Sequence, residues 1–226
     1  MTRLIDMLRT SSWGRNLSAA EFARVASDVR EVKVPAGGYI GRTGEPAEHW
    51  IGIVEGLAKM SVTSPEGRTA TLAGVVAGGW FGEGSLLKQE RRRYDIIAIR
   101  DTRVALLPRH SFEWLRGTSL PFNHFLLNLL NARLGLFIGL LEYDRLLGPD
   151  ARLARCLASL FNPDLYPEPG PYVDLLQVEV GLLSGVSRQR ANVALQRLQQ
   201  AGLIRIEHRG LTVLDLDGLR RFAGGG

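Results

Sequence analysis

Near residue 121 the chain changes its hydrophobic period, and that change limits the folds open to it. Upstream, short β-prone runs are cut by glycines. Downstream, Phe122, Leu126, Leu129, Arg133, Leu136, Leu140, Tyr143 and Leu147 recur at alternating spacings of four and three. That is a heptad-like seam along one helix. A second stripe, Leu127, Leu130, Leu134, Phe137 and Leu141, runs beside it. A helix of ~27 residues is ~40 Å long, and two adjacent apolar stripes need two covers. One can pack on a β-domain and the other on a partner helix. The expected architecture is α+β: a β-domain over residues 1–120, a dimerisation helix over 121–147 and a further helical region over 148–226. The first stripe, through Leu126, Leu129, Arg133, Leu136, Leu140 and Tyr143, is assigned to a homodimer interface.

The β-prone runs are VREVKV, WIGIV, LAKMSVT, RTATLAGV, IIAI and TRVALL, all between residues 29 and 107. Many short strands with regular turn signals predict a sandwich or barrel. The segment Ser64 to Arg68, SPEGR, reads as a hairpin turn. Past the long helix, LLGPD ends it at Pro149. DARLARCLASLF then gives a helix with Leu153, Leu157 and Leu160 on one face, and Cys156 is expected in the core.

The stretch LQVEVGLLSGVSRQRANVALQRLQQAGLIRI reads as helix, tight turn, helix, strand. Gln177 to Leu183 form the first helix, and Gly185 supplies the freedom for the turn. Ser187 is a natural N-cap for the second helix. Ala191, Ala194, Leu195 and Leu198 are spaced three or four apart as its buried stripe. Arg188, Gln189 and Asn192 then face outward, with Arg190 beside them. A recognition helix meets base edges with such N-terminal residues. Arginine reads guanine bidentately, and glutamine or asparagine reads adenine. Arg190 and Arg209 are expected at phosphates. GLIRIEHRGLTVLD adds two strands around Arg209 and Gly210 as a wing. Residues 175–213 hold five arginines against two glutamates, which suits double-stranded DNA.

These motifs, in this order, resemble the Crp/Fnr transcription regulators. SGVSRQRANVALQRLQQAGLI is similar to the family's helix-turn-helix. PAGGYIGRTGEPAEHWIGIVEGLAK resembles its β-roll signature, with Gly37, Gly44 and Gly56 in place. GGWFGEGSLL resembles the opening of its phosphate-binding cassette. The resemblance implies a jelly-roll-like β-roll (a double-stranded β-helix), a long dimerisation helix and a C-terminal winged helix-turn-helix. It also implies a near-palindromic operator, control by a small-molecule effector, and RNA polymerase as a partner. In the family a Gly-Glu pair and a later arginine hold a cyclic nucleotide, the glutamate at the ribose and the arginine at the phosphate. Gly82 and Glu83 match. The arginine is Arg92 or Arg93, in a segment one residue shorter than usual, and the hydroxyl residue that follows it in the family is missing. Phe137 and Ile138 stand where cyclic-AMP-binding members place hydroxyls to read the base. Standard cyclic AMP binding is therefore not expected.

Composition narrows the remaining classes. The net charge is +5, and the single cysteine excludes a disulfide framework or a cysteine-ligated cluster. His49, His110, His124 and His208 are scattered and form no haem or metal signature, so no metal is expected. A cupin-like metal enzyme would need converging histidines and a carboxylate. A nucleotide-binding regulatory subunit would leave the winged helix without a role. Phe125 to Leu141 is interrupted by Asn128, Asn131 and Arg133. The chain is expected to be a soluble, cytoplasmic regulator and not an enzyme.

Overall fold

The computed structural model describes residues 4–166 and 170–223. They fall into two compact units. The first comprises residues 4–130 with 164–166, and the second residues 131–163 with 170–223.

The first unit begins with helices α1 (Leu4–Thr10) and α2 (Ala19–Asp28). Ser18 caps α2, accepting from the Glu21 amide while the Glu21 carboxylate accepts from the Ser18 amide. This reciprocal pair satisfies two amides that the first helical turn leaves open. Strands β1 (Arg30–Val34), β2 (Tyr39–Gly41), β3 (His49–Glu55), β4 (Leu57–Thr63), β5 (Thr69–Val76) and β6 (Trp80–Phe81) follow. After the short helix α3 (Glu83–Lys88) come β7 (Asp95–Ala98) and β8 (Thr102–Pro108), then helix α4 (Arg109–Thr118). The strands form two four-stranded antiparallel sheets, ordered β1-β8-β3-β6 and β2-β7-β4-β5. This is the expected β-roll. The short strands β2 and β6 had no signal in the sequence pattern.

An aromatic cluster fills the core. Trp13, Trp50, Phe112 and Phe122 are buried completely or nearly so. Trp80 lies 4.5 Å from Trp50 and 5.0 Å from Trp13, centroid to centroid. A side chain on Gly52 would strike the Trp80 ring at 2.7 Å, so the glycine in β3 is what lets this indole lie on the sheet.

Helix α5 (Leu120–Leu146) spans the boundary between the units. Its first stripe points inward. Phe122, Leu126 and Leu129 are buried, and Arg133, Leu136, Leu140 and Tyr143 continue the same half-buried face. The assignment of Leu126 and Leu129 to a dimer interface is corrected: both belong to the core of their own chain. Of the second stripe, Leu127 is 65 %, Leu134 59 %, Leu141 54 % and Phe137 36 % exposed and Leu130 is half-buried; Ile138, beside it, is 58 % exposed. By length and apolarity α5 could cross a bilayer, despite its interruption by asparagines and Arg133.

The second unit continues with α6 (Pro149–Ser159), β9 (Tyr172–Val173), α7 (Gln177–Ser184), α8 (Arg188–Gln200), β10 (Ile204–Glu207), β11 (Gly210–Val213) and α9 (Leu216–Arg221). The three strands form one antiparallel sheet, ordered β10-β11-β9. Thus the wing has the two expected strands and a third, β9. Cys156 is buried, and burial pushes its thiol up to about 12, as befits a core side chain.

Gly56 links β3 to β4 at φ +103°, and a Cβ there would sit 2.6 Å from Thr102 Oγ1 and 2.8 Å from the Asp101 carbonyl. Gly67, in the hairpin, has φ +81° with open space around it. Gly67→Ala should therefore pay ~1 kcal/mol of backbone strain. Gly56→Ala adds a clash and should lose ~3 kcal/mol. Denaturant unfolding of the two variants checks the order; equal losses would contradict it.

Candidate nucleic-acid interface and effector pocket

The helix-turn-helix is built from small residues. Gly185 ends α7 in the left-handed region at φ +68°. Ser187 then caps α8, its hydroxyl accepting from the Arg190 amide at 3.3 Å. Across the turn, Gly181 of α7 faces Ala191 of α8, where a Cβ on Gly181 would lie 3.0 Å from the Ala191 Cβ. Ala191, Ala194, Leu195 and Leu198 are all fully buried. Arg188, Gln189, Asn192 and Val193 are exposed on the other side. Val193, 41 % exposed, is an apolar member of this face that pattern reading passed over.

Arg190 behaves differently from its neighbours. Its Nε lies 3.2 Å from Asp150 Oδ1, and Asp150 also receives a hydrogen bond from Arg197 Nη1. Arg190 thus sits against α6 as an ion pair, its Nε not aligned to donate a hydrogen bond to Oδ1. Arg209 is exposed at the wing turn, and its carbonyl accepts from the Tyr172 hydroxyl of β9.

In the first unit, the structure separates the two arginines that the sequence left open. Arg93 is exposed, its side chain 70 % accessible and paired with Glu90 at 2.8 Å. Arg92 is 7 % exposed. Its backbone is clamped on both sides: its amide donates to the Glu45 carbonyl at 2.9 Å, and its carbonyl accepts from the Gly44 amide at 2.8 Å. Its Nη2 donates to the His49 carbonyl at 3.2 Å. Gly41 and Gly82 make room for the guanidinium; an added Cβ would lie 3.0 Å from Nε and 3.1 Å from Nη1 respectively. Gly82 has φ +90° and opens α3, whose first residue, Glu83, is 2 % exposed. Burial lowers the Arg92 pKa, and Tyr94 and Glu45 offset this in part. The same arginine, with burial and Arg30, keeps the His49 imidazole below its ordinary value; burial is the largest of these effects. A cradle of glycines around a desolvated cation suits an anionic group.

Phe137 and Ile138 lie on α5 in the second unit, both exposed. Among the described residues, no three histidine, cysteine or carboxylate side chains gather as a metal site.

Two family models match the chain: a cyclic nucleotide-binding domain over residues 31–119 and a Crp-like helix-turn-helix domain over residues 151–222. Over 181 residues the chain is 31 % identical to the transcriptional regulator SdrP of Thermus thermophilus, covering 79 % of this chain and 85 % of that protein. The chain belongs to the Crp/Fnr family of transcription regulators. It is also 25 % identical over 221 residues to a CRP-like cAMP-activated global transcriptional regulator of Mycobacterium tuberculosis, covering 96 % of this chain and 99 % of that one. FixK2 of Bradyrhizobium japonicum has the same fold, with a TM-score of 0.71 at 20 % identity over 88 % of this chain and 98 % of that one.

In this Crp/Fnr protein the contact between α7 and α8 rests on the absence of a side chain at position 181. Gly181→Val should overpack it, destabilise the second unit by ~1–3 kcal/mol and weaken DNA binding. Thermal unfolding followed by circular dichroism reads the loss; an unchanged midpoint would contradict this packing.

Proposed function

We propose that this regulator acts as a homodimer that reads a near-palindromic operator with a pair of α8 helices, under control of a small anionic effector held at Arg92. The observation that carries the reading is the division of α8 into two faces. One face is entirely buried on alanines and leucines, and the other presents Arg188, Gln189 and Asn192 to solvent. A polar outer face is common to surface helices; here it lies at the N-terminus of the second helix of a helix-turn-helix, after the Gly185 turn and the Ser187 cap, where such residues meet base edges. Arg188 is assigned to guanine, and Gln189 and Asn192 to further base edges. Ser187 holds the helix N-terminus toward a phosphate, and Arg209 on the wing is assigned to the DNA backbone.

The second copy is assigned to the outward stripe of α5. Leu127, Leu134, Ile138 and Leu141 repeat at heptad spacing and are more than half exposed in the single chain. Apolar surface arranged in this way is buried by pairing with a like helix.

For the effector, the arginine that would meet a phosphate is present. Its usual hydroxyl companion is not, because the next residue, Arg93, points outward to Glu90. A phosphate oxygen lacking that donor loses about 1–3 kcal/mol, one or two decades of affinity. The Mycobacterium relative is named as cAMP-activated. In this chain the departure at Arg93 favours another anionic ligand. Titration calorimetry with cyclic AMP and cyclic GMP should show no micromolar binding. Micromolar cyclic AMP binding that also tightens operator affinity would contradict this part.

The DNA reading is tested by selecting bound duplexes from random DNA and repeating the selection with variants. Arg188→Ala should lose ~1–3 kcal/mol at one base position and relax the preference there. Arg209→Ala should weaken all sequences alike and flatten the salt dependence by about one counterion. Full affinity and unchanged preference in Arg188→Ala would remove α8 as the reader.

A further inference from the structure

Asp150 is a charged group that neither the base-reading face nor the effector cradle uses, yet it is nearly inaccessible. Its side chain is 3 % exposed. It occupies the first turn of α6, just after Pro149, with Gly148 as N-cap. The amides of that turn favour a carboxylate. Arg197 donates a hydrogen bond to Oδ2, and the Arg190 guanidinium, with Nε 3.2 Å from Oδ1 but not aligned to donate, adds a charge contact at the other oxygen. These arginines are seven residues apart, two turns along one side of α8. A single buried carboxylate therefore spans two turns of the recognition helix.

Such a bridge fixes what the apolar packing leaves loose. The N-terminal half of the buried face of α8 is Ala191 and Ala194, whose contacts are close but shallow. Methyl groups resist separation of two helices more than they resist rotation of one on the other. Asp150 gripping at two heights opposes that rotation, and a turn of α8 about its axis would carry Arg188 and Gln189 off their bases. Helix α6 is itself anchored: Arg152 pairs with Asp144 at the end of α5 at 2.6 Å, and Arg155 donates to the Leu219 carbonyl of α9 at 2.7 Å.

We propose that Asp150 is a positioning residue for DNA recognition, setting the rotation of α8 through Arg190 and Arg197 and keeping both arginines from unselective phosphate contacts. Both guanidinium side chains are 43 % exposed, so they remain within reach of a DNA backbone once released. Asp150 thus trades affinity for discrimination. The proposal rests on α8 being the DNA reader.

The test uses the full-length protein, an operator selected by the wild type from random DNA, and an unrelated duplex of equal length. Asp150→Asn keeps the shape and removes the charge. It should lower the ratio of operator to unrelated affinity by on the order of 10-fold. Binding to the unrelated duplex should become tighter, with a salt slope steeper by about 1–2, one for each arginine released to a phosphate. Asp150→Glu should recover part of the ratio. A role confined to folding would weaken both duplexes by one factor and leave the slope unchanged, and that result overturns the proposal; so does an unchanged ratio. Should Asp150→Asn fail to fold, Arg197→Gln removes one half of the grip and should lower the ratio several-fold without tightening unrelated DNA. An unaltered ratio in that variant also overturns it. Failure of the wild type to select any sequence would overturn the reading of α8 and this inference with it. Clear wild-type selection with an unmoved ratio would overturn the inference about Asp150 only.

Discussion

Helix α5 carries more apolar surface than one chain can cover, and much of the molecule follows from that. Its inner stripe gives Phe122 to an aromatic core of three tryptophans, and places Leu126 and Leu129 beneath it. Burying each such side chain stabilises by roughly 1.5–3 kcal/mol, which commits that face to its own chain. The outer stripe remains, with Leu127, Leu134, Ile138 and Leu141 in water. An exposed apolar ridge of this spacing can be covered by a like helix, which is the pairing proposed above.

Arg92 and Asp150 are buried charges, one in each unit. Arg92 is desolvated among glycines, with a pKa lowered by burial. Asp150 is equally hidden but meets two arginines. Burying an ion is expensive unless it is compensated. The first has a carbonyl partner and the more distant Glu45 and Tyr94 beside it, and the reading proposed above adds an anionic ligand there. The second is compensated within the fold and suits a fixed joint.

Local chemistry made much of this readable from the sequence. The turn at Gly185, the cap at Ser187 and the alanine stripe of α8 depend on neighbours within four residues, and the structure has each of them. The main strands followed from β-branched runs between glycines. What escaped the sequence depends on contacts far along the chain. Strands β2, β6 and β9 are two or three residues long and exist through their pairing partners. Helices α1, α2 and α4 lie outside the strand and heptad patterns that guided the reading. Which stripe of α5 faced inward could not be read from spacing, because both stripes are apolar and periodic; the aromatic core decides it. Arg92 and Arg93 are adjacent and chemically identical, and only the backbone clamp at Gly44 and Glu45 turns one inward. Arg190 is two residues from Arg188, and only its ion pair with Asp150, forty residues away, sets it apart from the outward side chains.

The central claim is that two α8 helices from paired chains read DNA together. Hydroxyl-radical footprinting on a selected operator measures this directly. The account predicts two symmetric protected half-sites with centres ~10–10.5 bp, or a multiple of that, apart. Protection of one unrepeated half-site, by one chain per duplex, would contradict it.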